Sequence, residues 1–213
     1  MAADGAGSAS FSASGAEIAC SSLLRSIREA LAGQPVSSIN EALVREWVLR
    51  ANQAIAIGAP VGRPLREYAC TVLVAILGES HSAYLQVGDG AMVVRDGDER
   101  WNWVFWPQHG EFVNSTVFLT DADVLSTCQF GALSRRAGAI ALFTDGLERL
   151  VLDFAQRTVH EPFFERMISP LGTADGPGLQ ERLSGDLAEY LQSDAVRQRT
   201  DDDLTLILAI RSR

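Results

Sequence analysis

The sequence contains no lysine: all 18 of its positive charges are arginine. Without an ε-amino group it has no Walker-type phosphate loop, no kinase of the usual kind and no Schiff-base chemistry. Cysteine is sparse too. Cys20, Cys70 and Cys128 are too few and too scattered for a disulfide framework, which suits a reducing cytosol, so a cytoplasmic location is expected. The longest apolar run, ACTVLVAILG, is about half the ~20 residues that a bilayer span needs. No basic segment leading into an apolar one stands at the start, so neither a signal peptide nor a membrane partner is expected. A net charge of −9 argues against nucleic acid, whose phosphates call for a basic patch. An acidic chain without lysine keeps two routes to a phosphate: arginine, or a metal held by its carboxylates.

What remains is a globular chain of 213 residues, long enough to bury a sizeable core and without internal repeats, read as one domain over 1–213. From Ser14, apolar residues at Ile18, Leu23, Leu24, Ile27 and Leu31 recur at helical spacing, and Gly33 ends the run. After Pro35 the pattern repeats through Ile39, Leu43, Trp47 and Ala51. The period then changes. YACTVLVAILG, SAYLQVGDGAMVVRDGDERWNWVFW, STVFLTD, AIALFTDG and DLTLILAIR read as strands, with GDG and RDGD as hairpin turns between antiparallel neighbours. WNWVFWP reads as core. Between Leu150 and Leu191 the pattern is helical again, broken by SPLGTADGPG.

Asp-Gly occurs five times, at Asp4, Asp89, Asp96, Asp145 and Asp175, and turns are commonly made of it. Asp96 reads as a hairpin turn and Asp175 as a surface bend. Asp4, in MAADGAGSAS, belongs to a segment that reads as a flexible tail as readily as a tight turn. Asp145 differs, because an apolar strand runs straight into its carboxylate and a helix leaves it. It either caps that helix or holds a cation. At the far end RTDDDLTLILAI sets three mutually repelling aspartates against a strand, either as a solvated acidic loop or as metal ligands. Hard divalent cations take oxygen donors, and magnesium uses few carboxylates and keeps several waters.

MAADGAGSA, YLQVGDGAMVV, ALFTDGLERL and DDDLTLILA fall in the order and spacing of the metal-dependent Ser/Thr protein phosphatases of the PP2C type, which this sequence resembles, and of their bacterial branch in particular. CTVLVAIL and GEFVNSTVFLTD resemble further segments of that branch. The resemblance implies an α+β fold, a sandwich of two antiparallel β-sheets flanked by helices in α-β-β-α order. It implies a centre of two Mg2+ or Mn2+ ions: Asp4 bridging both, the carbonyl of Gly5, Asp145 and Asp202, with Asp203 where the family often has Asn. Asp89 matches an aspartate of a weaker third site, and reads equally as a plain turn residue.

The implied reaction is hydrolysis of phosphoserine or phosphothreonine esters on a protein substrate, with Asp4, Asp145 and Asp202 as catalytic residues and a cognate Ser/Thr kinase as possible counterpart. Cysteine-phosphatase chemistry needs five residues between nucleophile and arginine, whereas four separate Cys20 from Arg25 and six separate Cys128 from Arg135. The sequence departs from the family in two respects. Three residues precede Asp4, where the family carries two strands with a further acidic ligand and a phosphate-binding arginine, so an N-terminally short domain is expected. DGAGS also lacks the nearby histidine of many relatives, and His81, His109 and His160 read as ordinary residues. The alternative is therefore a catalytically impaired domain kept as a binding or regulatory module.

Overall fold

Helix-spaced apolar positions give α1 over Ser12–Ala30 and α2 over Glu41–Gly58 in the computed structural model, which describes residues 1–95, 100–107, 116–174 and 176–211. Strands β1 (Val72–Leu77), β2 (Ser82–Val87), β3 (Ala91–Arg95) and β4 (Trp101–Trp103) follow. Next come α3 (Val124–Thr127), β5 (Gln129–Leu133), β6 (Ala139–Phe143), α4 (Glu148–Val151), β7 (Leu152–Asp153) and β8 (Thr158–Val159). The chain closes with α5 (Glu161–Ile168), α6 (Glu181–Leu191), α7 (Asp194–Arg197) and β9 (Leu206–Ile210). It divides into two compact units, residues 1–90 with 105–136 and residues 91–104 with 137–213. The expected mixture of antiparallel sheets and helices is present.

The first unit holds an antiparallel sheet in the order β1-β2-β5, with α1 and α2 packed together beside it. Leu23, Trp47, Val48, Ile55, Val72, Val74 and Leu85 are buried in its core. Each such aliphatic side chain contributes about 1.5–3 kcal/mol by leaving water. The opening residues are no free tail. Ala2 exchanges two backbone hydrogen bonds with Leu73, at 2.9 and 2.8 Å, and Ala6 N–H donates to Ala69 at 2.9 Å, so the segment runs antiparallel beside β1.

The second unit holds a sheet in the order β4-β3-β6-β9 and the small β7–β8 ribbon. Its core gathers Trp101, Phe143 and Phe164, with Trp101 and Phe143 each within 6 Å of Phe164 (5.3 and 5.7 Å between centroids). Of WNWVFWP, Trp101 is buried as expected, whereas Trp103 is partly exposed and donates its Nε1–H to the Arg157 carbonyl at 3.1 Å. No helix among the described residues is long and apolar enough to cross a membrane.

Several expectations need correction. The helical pattern after Pro35 starts late: Val36–Ser38 makes a single 3₁₀ turn, and α2 begins beyond Asn40, whose Oδ1 accepts from Leu43 N–H at 3.0 Å. A good N-cap outweighs the apolar spacing here, leaving Ile39 buried ahead of the helix. STVFLTD forms no strand in its described part, because the Asp121 carboxylate takes the Phe118 N–H at 2.8 Å in a local turn. β5 and the β7–β8 ribbon went unpredicted. β5 contains Gln129 and Gly131 and lacks clean alternation, so only its pairing with β2 defines it. GDG is no hairpin turn either, since β2 and β3 belong to different sheets. β3 and β4 do pair antiparallel, but the intervening Asp96, like Asp175 and His109, lies outside the described residues.

Candidate metal centre

Asp4, Gly5 and Asp89 lie in the first unit, at the end of the sheet where β1 begins and β2 finishes. Thr71 N–H donates to the Asp4 carbonyl at 2.8 Å, and Asp4 N–H donates to Thr71 Oγ1 at 3.3 Å. Gly5 forms the next bridge, opposite Cys70. Asp89 follows Gly88, whose φ of +102° sits in the left-handed region that glycine tolerates. Asp89 is buried, at 8% exposure, and its carboxylate accepts the Thr116 hydroxyl. A buried carboxylate needs hydrogen bonds or a cation.

Asp145, Asp202 and Asp203 lie in the second unit. β6 and β9 pair with Phe143 opposite Leu206, so the residue after one strand and the residues before the other share one sheet end. Thr144 is buried and crosses to Thr205 through two hydrogen bonds. Gly146 lets the two segments touch: a Cβ there would stand 2.5 Å from the Asp203 carbonyl oxygen and 3.3 Å from Asp202 Cβ. Asp145 is half-buried, while Asp202 and Asp203 are exposed. The Arg197 guanidinium donates to the Asp202 carbonyl at 3.1 Å, and Asp203 N–H donates to Asp202 Oδ1 at 2.8 Å, which ties the acidic loop down.

Each unit therefore brings its own acids to one strand end. Among the described residues no group of three or more His, Cys, Asp or Glu side chains is drawn together as a metal cage. The donors at hand are carboxylates and a carbonyl, all hard oxygens, which suit a cation that keeps part of its water shell. His81, beside Ser80 in the β1–β2 turn, stands at the sheet end opposite Asp4, and His160 is exposed ahead of α5. All three cysteines are free thiols, and burial pushes each pKa up, that of Cys70 to about 12. None supplies a thiolate nucleophile. A groove of about 1240 Å³ along β9 in the second unit is lined by none of the candidate ligands.

The sequence profile described as protein phosphatase 2C matches residues 1–192. The chain belongs to the protein phosphatase 2C family. It is a phosphatase of that type, and is 34% identical over 209 residues to serine/threonine-protein phosphatase 3 of Escherichia coli strain K12, covering 98% of this chain and 81% of that one. The likeness to solved structures is one of fold. The catalytic domain of the serine threonine protein phosphatase PstP, in complex with two manganese ions, superposes with a TM-score of 0.62 at 18% identity, over 98% of this chain and 85% of that one. Serine/threonine phosphatase Stp1 from Staphylococcus aureus gives 0.58 at 16% identity, over 99% and 82%.

Sequence reasoning singled out candidate acids and missed the threonines bonded beside them: Thr71 to the Asp4 backbone, Thr116 to the Asp89 carboxylate, and Thr144 to Thr205 next to Asp145. The signal was partly available, since a hydroxyl residue directly precedes Asp145 in FTDG. Thr71 and Thr116 are distant in sequence from the acids they serve, and nothing local marks them.

Proposed function

We propose that this PP2C-type phosphatase hydrolyses phosphoserine and phosphothreonine esters on proteins. The observation that carries the reading is the pairing of β6 with β9, which brings the Asp145-Gly146 turn against the Asp202–Asp203 loop so closely that only glycine fits. In this reading Asp4, the Gly5 carbonyl, Asp145 and Asp202 hold two Mg2+ or Mn2+ ions, and Asp89 serves a third, weaker site. The all-oxygen donor set and the buried Asp89 carboxylate support that fit. When bound, the ions supply Lewis acidity toward water and phosphate oxygens.

The chain's own residues do the positioning. Asp4 is pinned through both of its peptide groups, so its carboxylate direction is set by side-chain torsions alone. The Thr144–Thr205 bonds fix the spacing between Asp145 and the acidic loop. Protonated thiols and the absence of lysine leave no side-chain nucleophile of the cysteine or Schiff-base kind, so attack by water without a covalent intermediate suits the residues present. We read the two units as parts of one domain over 1–213, a reading supported by a family match that runs through both. A cytoplasmic protein opposed by a Ser/Thr kinase completes the proposal, and the three free thiols support the compartment.

A second reading, a binding module without turnover, is favoured by the lack of any three-residue metal cage among the described residues. Hydrolysis of a phosphothreonine peptide with and without Mn2+, beside Asp145→Asn, separates the two. Mn2+-dependent turnover lost in the variant is the expected result. Peptide binding without release of phosphate by the parent chain would establish the module instead.

A further inference from the structure

Thr71 touches both Asp-Gly turns of the first unit. It stands just ahead of β1, and because Val72 pairs with Val87 it lies across from Gly88. Its N–H donates to the Asp4 carbonyl at 2.8 Å, and its Oγ1 accepts from Asp4 N–H at 3.3 Å. Both main-chain polar groups of Asp4 are therefore held by one residue. On its other side the Thr71 methyl, Cγ2, lies 2.4 Å from where a Cβ on Gly88 would stand. Gly88 reaches this position with φ of +102°, and its carbonyl accepts from the buried Gln86 Nε2 at 3.4 Å. The turn so pressed against the methyl leads directly into Asp89.

Strand propensity alone does not account for this arrangement. Valine would serve β1 as well at a residue that is 6% exposed, and a buried hydroxyl costs stability unless it is bonded. Here hydroxyl and methyl have separate tasks: one holds Asp4, the other shapes the turn before Asp89. We propose that Thr71 is a positioning residue of the metal centre, setting Asp4 through its hydroxyl and Asp89 through its methyl. The proposal rests on the reading of Asp4 and Asp89 as metal ligands.

Two substitutions separate the two tasks. Thr71→Val keeps the methyl and removes the hydroxyl; Thr71→Ser does the reverse. Mn2+ binding to the full chain is titrated by calorimetry and by the electron paramagnetic resonance of free Mn2+, with thermal unfolding in metal-free buffer as the control for folding. Partners outside the ligand shell typically change metal affinity by about 10–100-fold, and a loss in that range is expected for the tight Mn2+ sites of Thr71→Val. The Mn2+ concentration for half-maximal phosphopeptide hydrolysis rises with it, more than kcat falls. Thr71→Ser retains the tight sites and weakens only the looser class assigned to Asp89.

A folded Thr71→Val that binds Mn2+ within twofold of the parent overturns the proposal. If Thr71→Val does not fold, Thr71→Ser decides: unchanged binding in both classes, or loss of the tight class, overturns it equally. A parent chain that binds no Mn2+ removes the metal reading and this proposal with it. A parent that binds while both variants behave like it removes the proposal alone.

Discussion

Thr144 and Thr205 are joined by two hydrogen bonds across the end of the second sheet: Thr205 N–H donates to Thr144 Oγ1 at 3.1 Å, and Thr144 N–H donates to the Thr205 carbonyl at 3.2 Å. The first unit uses the same device between Asp4 and Thr71. In both places a backbone N–H of the pair goes to a threonine hydroxyl in place of a main-chain carbonyl, while the threonine's own N–H keeps its carbonyl acceptor. At Asp4 the pairing then continues, with Gly5 opposite Cys70 and Ala6 N–H on the Ala69 carbonyl. In the second unit the pair stands directly beside Asp145.

Replacing Thr144 by valine leaves the Thr205 N–H without its acceptor beside a side chain that is 2% exposed. Thr205 is half-buried, so the cost is that of a typical hydrogen bond, about 0.5–1.5 kcal/mol, and that loss is expected in urea unfolding of Thr144→Val. Thr144→Ser keeps the hydroxyl and recovers most of it. Equal stability of the valine variant and the parent would show that the hydrogen bond contributes nothing.

Gly146→Ala tests how closely the acidic loop must approach. The added Cβ meets the Asp203 carbonyl oxygen at 2.5 Å, a backbone atom that cannot swing aside. Overpacking of this kind costs about 1–3 kcal/mol and displaces the loop. The expected outcome is Mn2+-dependent phosphatase activity reduced by more than tenfold while the variant remains folded by circular dichroism. Retained activity would mean that the spacing of Asp145 and Asp202 tolerates the shift.

The legible parts of this protein are those with local causes. α1 follows from apolar spacing alone, and β1, β2, β3, β6 and β9 follow from β-branched runs. Asp145 stood out because a strand runs into it. What escaped has causes far along the chain. β5 exists because β2 offers it an edge, and the Asp89 turn crosses from one sheet to another, which no four-residue window reveals. STVFLTD has strand composition but loses to the Asp121 carboxylate within its own span. The supporting threonines are legible only once pairing sets Thr71 across from Gly88.

The start of α2 gives a stability test remote from the acids. Asn40 caps the helix through its Oδ1, which accepts from Leu43 N–H at 3.0 Å. Asn40→Ala is expected to lower stability by about 0.5–2 kcal/mol, and Asn40→Asp to preserve it. Mn2+ affinity should stay within twofold of the parent in both. Urea unfolding and calorimetry report the two quantities separately. A fall in Mn2+ affinity for Asn40→Ala would mean that general destabilisation reaches the centre, and would weaken the reading of every other variant that loses affinity.

Cys70 carries the pH prediction. Burial, with a smaller contribution from the nearby Cys20 thiol, raises its pKa in the folded chain from an ordinary 9.0 to about 12. Below pH 9 the thiol is protonated in both folded and unfolded chains, and its contribution is fully present. Between pH 9 and 12 the unfolded chain has released a proton that the folded chain still holds. The unfolded state then binds fewer protons, so stability falls as pH rises, with a slope from this one group of up to about 1.4 kcal/mol per pH unit. Other groups titrate in the same range, and Cys70→Ala removes this contribution while keeping theirs. Urea unfolding at pH 8, 9 and 10 should show the parent losing stability faster than the variant above pH 9 and in parallel with it below. A thiol reagent at pH 8 should label Cys70 only on unfolding, because the side chain is both protonated and 0% exposed. Parallel pH profiles throughout, or rapid labelling in the folded state, would show that the thiol reaches water and that the first-unit core opens beside Gly5.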